Sequence, residues 1–137
     1  MSETLRVMVV DDEPIVGRRL RPVLEKLGFE VEVFEDPVLA LARFAEGRFE
    51  IVVSDIRMRG MDGIALLERV RAHAPRAKVI LITGHPSPEV AAEAMAKGAF
   101  EYIAKPFKTD ALRRVVERAA LSLGEMPPPS SSGSSEE

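Results

Sequence analysis

Two hydrophobic rhythms alternate five times along this chain, and that alternation narrows its fold more than any other feature. Leu5–Val10 is short, rich in β-branched residues and nearly unbroken, the pattern of a strand covered on both faces. Val31–Phe34, Ile51–Val53, Val79–Ile82 and Tyr102–Ala104 are shorter segments of the same kind. Between them run helical stripes: Val16, Leu20, Val23, Leu24 and Leu27, then Val38, Leu41 and Ala45, then Ile64, Leu67 and Val70. The last stripe is Leu112, Val115, Val116, Ala119 and Leu123, and the alanine-rich Pro88–Lys97 is expected as the helix before it. Asp36-Pro37 reads as an N-cap and first-turn proline, and Pro14 and Pro88 also suit first turns. Gly28 and Gly98 stand where helices should stop in a left-handed residue. Repeated strand–helix units predict a parallel sheet with helices on both faces.

Two features sit apart from this plan. Gly17 and Pro22 fall inside the first helix, and an interior proline costs roughly 3 kcal/mol, so a kink is expected near Arg18–Pro22. From Gly124 to Glu137 the composition turns to proline, serine and glutamate, which cannot bury a core and is expected to be a disordered tail or linker. One domain over residues 4–123 remains.

Composition removes several function classes. The chain has no cysteine and only His73 and His85 as histidines, so disulfides and thiolate metal sites are excluded and a zinc site is disfavoured. A net charge of −3 argues against broad nucleic-acid binding, which needs a basic footprint. No apolar run approaches the roughly 20 residues that span a bilayer, and the N-terminus lacks a signal peptide's basic and apolar regions. A cytoplasmic protein without membrane contact is the expectation.

The chemistry-bearing residues follow the strands. Asp11 and Asp12 come after the first, Asp55 ends the third, Thr83 ends the fourth and Lys105 ends the fifth. In a parallel open sheet these positions share one edge, and ligands bind there where strand order reverses. Taken singly, each has a plainer role. Asp-Asp-Glu-Pro suits a loop and helix cap, Asp55 could cap the next helix, and Thr83-Gly84 is ordinary turn chemistry. Lys105 could be a surface lysine, and Tyr102 a core or interface residue. These readings do not explain why all the positions meet on one edge. Three carboxylates so close repel and would hold protons unless a cation offsets them, and one lysine is too little. An all-oxygen ligand set suits Mg²⁺. A carboxylate beside Mg²⁺, a lysine and a hydroxyl is equipped to receive a phosphoryl group as the nucleophile.

The strings Val-Asp-Asp-Glu-Pro (10–14), Ser-Asp-Ile-Arg-Met-Arg-Gly-Met-Asp-Gly (54–63), Ile-Thr-Gly (82–84) and Gly-Ala-Phe-Glu-Tyr-Ile-Ala-Lys-Pro-Phe (98–107) carry a family likeness. In this order and spacing they closely resemble receiver domains of bacterial two-component response regulators, and the likeness runs from about Leu5 to Leu123. The resemblance implies a flavodoxin-like, doubly wound five-stranded parallel sheet in the order 2-1-3-4-5. It implies Asp55 as phosphoacceptor, with Asp12 and Asp55 binding Mg²⁺ directly, Asp11 through water, and the backbone carbonyl of Arg57 completing the protein ligands. Lys105 would pair with the phosphoryl oxygens, Thr83 would move to bond one of them, and Tyr102 would turn inward as it did. Lys105-Pro106 would be cis. Arg57 and His85 hold positions that vary in the family and influence how long the phosphoryl group survives. Arg59 stands where a proline is common, so that loop is expected to be looser.

The same resemblance implies partners. A histidine kinase or histidine phosphotransfer domain would supply the phosphoryl group, and a downstream protein or an effector domain would read the change. The chain would catalyse only its own phosphorylation and dephosphorylation, and would not touch nucleic acid directly. The fourth helix, fifth strand and fifth helix would form the output surface. There Glu89, Glu93, Lys97 and Glu101 precede Arg113, Arg114 and Arg118, mixed charges that could pair between two copies in a weak or phosphorylation-dependent dimer. The chain could instead be the receiver of a longer transcriptional regulator or hybrid kinase. A Mg²⁺-dependent aspartyl phosphohydrolase is the rival enzyme class, but those place the nucleophile after the first strand and carry a cap, for which no insertion exists here. A degenerate receiver used only for contacts is opposed by the intact Asp11, Asp12, Asp55, Thr83 and Lys105.

Overall fold

The computed structural model describes residues 4–124. Strands and helices alternate throughout: β1 (Arg6–Val10), α1 (Pro14–Lys26), β2 (Glu30–Phe34), α2 (Pro37–Glu46), β3 (Ile51–Asp55), α3 (Gly63–His73), β4 (Lys78–Thr83), α4 (Pro88–Ala96), β5 (Glu101–Ala104) and α5 (Thr109–Gly124). The strands form one parallel sheet in the order β2-β1-β3-β4-β5, as the family likeness implied. The tail expected over residues 124–137 lies outside the described residues, apart from Gly124, which ends α5.

The sheet separates two apolar layers. Met8, Val10, Val52, Val79 and Leu81 face α2, α3 and α4, meeting Ala40, Phe44, Leu67 and Ala94. Val7, Val9, Val53, Ile80 and Ile82 face α1 and α5, meeting Leu20, Leu24, Leu112 and Val116. Strict alternation along each strand sends successive side chains to opposite layers, so the central strands read as unbroken apolar runs. The edge strands β2 and β5 are only partly buried, unlike the fully covered strands they resemble in sequence.

One helix departs from its sequence expectation. In α2 the buried set is Pro37, Ala40 and Phe44, with Leu41 packed beside them, whereas Val38 is 54% exposed and Ala45 is exposed too. The two stripes differ by one position, and the larger Phe44 ring takes the core. Helix α1 runs as one element from Pro14 to Lys26, with Gly17 and Pro22 inside it. Gly17 is buried, and a Cβ there would collide with the Val33 side chain, so the glycine lets the helix lie close against β2. Pro22 sits on the exposed face, where water can satisfy the Arg18 carbonyl that a proline cannot serve.

Caps hold the helices in place. Asp36 accepts a hydrogen bond from Val38 N at 2.9 Å, Asp62 from Ala65 N at 2.8 Å and Ser87 from Val90 N at 3.1 Å. Gly28 and Gly98 end α1 and α4 at φ of 97° and 102°, the left-handed region the sequence required of them. At the N-terminal rim of the sheet the guanidinium groups of Arg6 and Arg43 both lie over the Phe49 ring, 5.4 and 5.6 Å from its centre. Arg43 also makes a two-pronged bond to Glu32 at 2.9 and 2.8 Å, and Arg6 N donates to Glu50 at 2.8 Å. The Arg43 guanidinium holds the Glu32 carboxyl below the usual carboxylate range.

Candidate functional site

Strand order reverses between β1 and β3, because β1 connects forward to β2 on one side and pairs with β3 on the other. The C-terminal ends of those two strands deliver Asp11, Asp12 and Asp55 to one place. One carboxylate oxygen from each lies within 4.8 Å of the others, an arrangement that could hold a metal ion. Asp11 and Asp55 are buried, at 1% and 5% exposure, and Asp12 is half-buried. The set is all oxygen, so its chemistry fits a hard divalent cation.

Lys105, one residue past β5, closes the site. Its Nζ donates to Asp11 Oδ2 at 3.1 Å, Glu13 Oε1 at 3.2 Å and Asp55 Oδ2 at 3.4 Å. The peptide bond between Lys105 and Pro106 is cis, as the resemblance implied. Burial pushes the Asp11 carboxyl above its ordinary range and the Asp55 charge adds to this, against the opposing bonds from Glu13 N and Lys105. Burial works against the charged Lys105 as well, but its bond to Asp11 and the charges of Asp11 and Asp55 outweigh it, and the lysine stays above its ordinary value. A site with crowded carboxylates and one cation is short of positive charge.

Asp55 does not cap α3, as it could have done; Asp62 has that task. Asp55 instead accepts from Ile56 N at 2.8 Å through Oδ1, which leaves Oδ2 to Lys105. Gly63 N donates to the Ile56 carbonyl at 2.7 Å, folding the loop from 56 to 62 back against the end of β3. A Cβ on Gly63 would strike the Asp55 carbonyl oxygen and lie 2.8 Å from Ile56 Cα, so the helix can start here only with glycine. Within that loop Arg59 N donates to Asp12 Oδ2 at 3.3 Å. A proline at this position would have no N–H to give, so this tie depends on Arg59 standing there. Beside it a cleft of about 680 Å³ opens between Asp12, Asp36 and Arg59.

Thr83 and Tyr102 both hold the segment that leads into α4. Thr83 Oγ1 accepts from His85 N at 3.0 Å, and Tyr102 Oη accepts from Ser87 N at 3.1 Å. Leu81 pairs with Tyr102 and Thr83 with Ala104, so both side chains lie on one face of the sheet, one step apart. Thr83 is buried and its hydroxyl proton is not committed by the bond it accepts; Tyr102 is half-buried against the α2–α4 layer. Arg57 and His85 stand on the two loops beside the triad, and both are exposed.

Glu13 escaped the sequence reading as a site residue. Its signal was the position itself, an N-cap immediately before a proline, where serine, aspartate or asparagine would be the usual cap. Of the charges expected to pair between copies, Glu93, Lys97, Glu101, Arg113, Arg114 and Arg118 are engaged within the chain. Lys97 bonds Glu93 at 3.0 Å and Glu68 at 3.1 Å, Arg118 bonds Glu101 at 3.0 Å, and Arg113 and Arg114 both reach Asp110.

Comparison with known proteins agrees with this geometry. Residues 7–117 match the family model described as the response regulator receiver domain. The regulatory protein AtoC of Escherichia coli is 41% identical over 119 residues, which are 87% of this chain and 26% of AtoC. The transcriptional regulatory protein FixJ of Bradyrhizobium diazoefficiens is 37% identical over 119 residues, 87% of this chain and 58% of FixJ. The chain therefore spans about a quarter of AtoC and somewhat over half of FixJ. Among solved structures, a response regulator receiver domain protein from Clostridium thermocellum superposes with a TM-score of 0.84 at 28% identity, covering 90% of this chain and 99% of the other. The beryllofluoride-activated receiver domain dimer of NtrC4 does so with a TM-score of 0.82 at 32% identity, covering 85% and 97%.

Proposed function

The chain belongs to the response-regulator receiver domain family of two-component signalling, and we propose that Asp55 is its phosphoacceptor. The observation that carries this is the meeting of Asp11, Asp12, Asp55 and Lys105 at the strand-order reversal, with Lys105 Nζ 3.4 Å from Asp55. Asp55 Oδ2 would attack the phosphorus of a phosphohistidine on a kinase or phosphotransfer domain, and the bond to the histidine nitrogen would break with its electron pair. Asp11, Asp12, Asp55 and the Arg57 carbonyl would hold Mg²⁺, which when bound supplies the positive charge that offsets the crowded carboxylates and the phosphoryl oxygens. Lys105 would shift from its carboxylates to a phosphoryl oxygen. Thr83 would then donate its hydroxyl proton to another and let go of His85 N.

Release of that bond, with Tyr102 leaving Ser87 N to turn inward, would free both ties on the segment before α4. A local charge event thereby becomes a change at α4, β5 and α5. We place the protein in the cytoplasm, acting through a downstream protein or an effector domain and turning over no separate substrate. No helix among the described residues is long and apolar enough to cross a membrane.

Incubation with Mg²⁺ and phosphoramidate, followed by intact-mass measurement, is expected to show one added phosphoryl group, and none after chelation. Uptake indifferent to chelation would refute the metal's part. The same sample should sediment as a weak dimer only when phosphorylated, because the ion pairs on α4 and α5 must first exchange partners. A tight dimer before phosphorylation would contradict this.

Arg57 and His85 flank the mouth through which an attacking water must pass, and we assign them control of the phosphoryl lifetime. Arg57→Ala and His85→Ala should each change the decay rate of the phosphorylated protein. Identical decay rates in all three proteins would make both residues spectators.

A further inference from the structure

We propose that Glu13 is a positioning residue that holds Lys105 in its resting place and competes with the phosphoryl group for it; this rests on the phosphoacceptor reading of Asp55. Helices α1 and α2 start alike, with an acidic residue followed by proline, yet they use that residue differently. Asp36 turns its carboxylate onto Val38 N and caps α2 at 2.9 Å. Glu13 occupies the same position before Pro14 and makes no side-chain cap. Its carboxylate reaches across the site to Lys105 Nζ at 3.2 Å, a residue 92 positions away.

A cap is worth about 0.5–2 kcal/mol, and here that bond is forgone. The backbone N–H of Glu13 meanwhile donates to Asp11 Oδ1 at 2.9 Å, so main chain and side chain of one residue touch both partners of the lysine's shortest bond. Glu13 is not among the carboxylates whose oxygens could share a metal. A cation bound by Asp11, Asp12 and Asp55 would therefore leave the Glu13–Lys105 bond in place. For Lys105 to reach a phosphoryl oxygen, it has to give up Glu13 as well as Asp11.

The exposed bond is worth little, because water screens it. Its removal should favour the phosphorylated state by about two- to fivefold, the range of an exposed ion pair. Beryllofluoride with Mg²⁺ serves as the probe, and its affinity is read by nuclear magnetic resonance titration for wild type, Glu13→Ala and Glu13→Asp. Aspartate keeps the charge but is one methylene shorter, and the Asp36-Pro37 start shows where its carboxylate would go. Both variants are expected to bind the probe two- to fivefold more tightly, and Glu13→Asp alone should also melt at a higher temperature than wild type through its new cap.

Equal affinity in all three proteins would overturn the proposal. So would tighter binding by Glu13→Ala with wild-type affinity in Glu13→Asp, which would assign the effect to charge near the site rather than to the bond. Failure of the wild type to bind the probe would overturn the phosphoacceptor reading itself, and this inference with it. A purely structural role for Glu13 predicts changed melting with unchanged affinity.

Discussion

Asp55→Asn is expected to take up no phosphoryl group from phosphoramidate under conditions that saturate the wild type, and to remain folded. An amide keeps the shape and the oxygen that accepts from Ile56 N, so the loop after β3 retains its anchor. It has no carboxylate oxygen to attack phosphorus, and it removes one charge from a crowded acidic site. The variant should therefore melt no lower than the wild type while its mass stays unchanged after incubation. A phosphorylated variant would mean that Asp12 or another carboxylate is the acceptor. A variant that loses both mass shift and fold would leave the acceptor to be found by mapping the modified peptide in wild type.

Gly63→Ala is expected to destabilise the protein by about 1–3 kcal/mol, the usual cost of forcing a methyl into a packed place, and to slow phosphoryl uptake as well. The added carbon would press on the carbonyl of Asp55 and on Ile56, and both are main-chain atoms that cannot swing aside as a side chain can. Relief requires α3 to move away from the end of β3, and the acceptor's backbone moves with it. Urea titration gives the stability and intact mass gives the uptake rate. Gly84→Ala is the matched control, since nothing lies within 4 Å of a Cβ there, and its stability should stay near wild type. Equal stability of the two variants would show that the α3 start has room the geometry denies.

The sheet and its helices were legible because strands covered on both faces leave continuous apolar runs, and because Asp36, Gly28 and Gly98 mark element ends by their backbone chemistry. Asp11, Asp12, Asp55, Thr83 and Lys105 were legible for another reason. Topology alone takes the ends of parallel strands to one edge, so their meeting needed no knowledge of side-chain conformation. What stayed hidden depended on distances that no periodicity encodes. The α2 stripe was misplaced by one position, because residues 37, 40 and 44 and residues 38, 41 and 45 satisfy the helical period equally well. Gly17 looked like a weakness in α1 until Val33 was found against it, and Gly63 looked like nothing at all. Glu13 was hidden because its partner lies at the far end of the chain.

The stacked Arg6, Phe49 and Arg43, with Glu32 and Glu50 bonded to the arginines, have a mechanical consequence. They clamp one end of the sheet, while at the other end the segment between β4 and α4 is held by the single hydrogen bonds of Thr83 and Tyr102. The molecule is built like a beam fixed in a wall at one end. Deflection is cheap at the free tip and expensive at the root. A load placed on Asp55 would thus be spent on bending the loops around it, with the clamped rim as the reference against which that bending is felt.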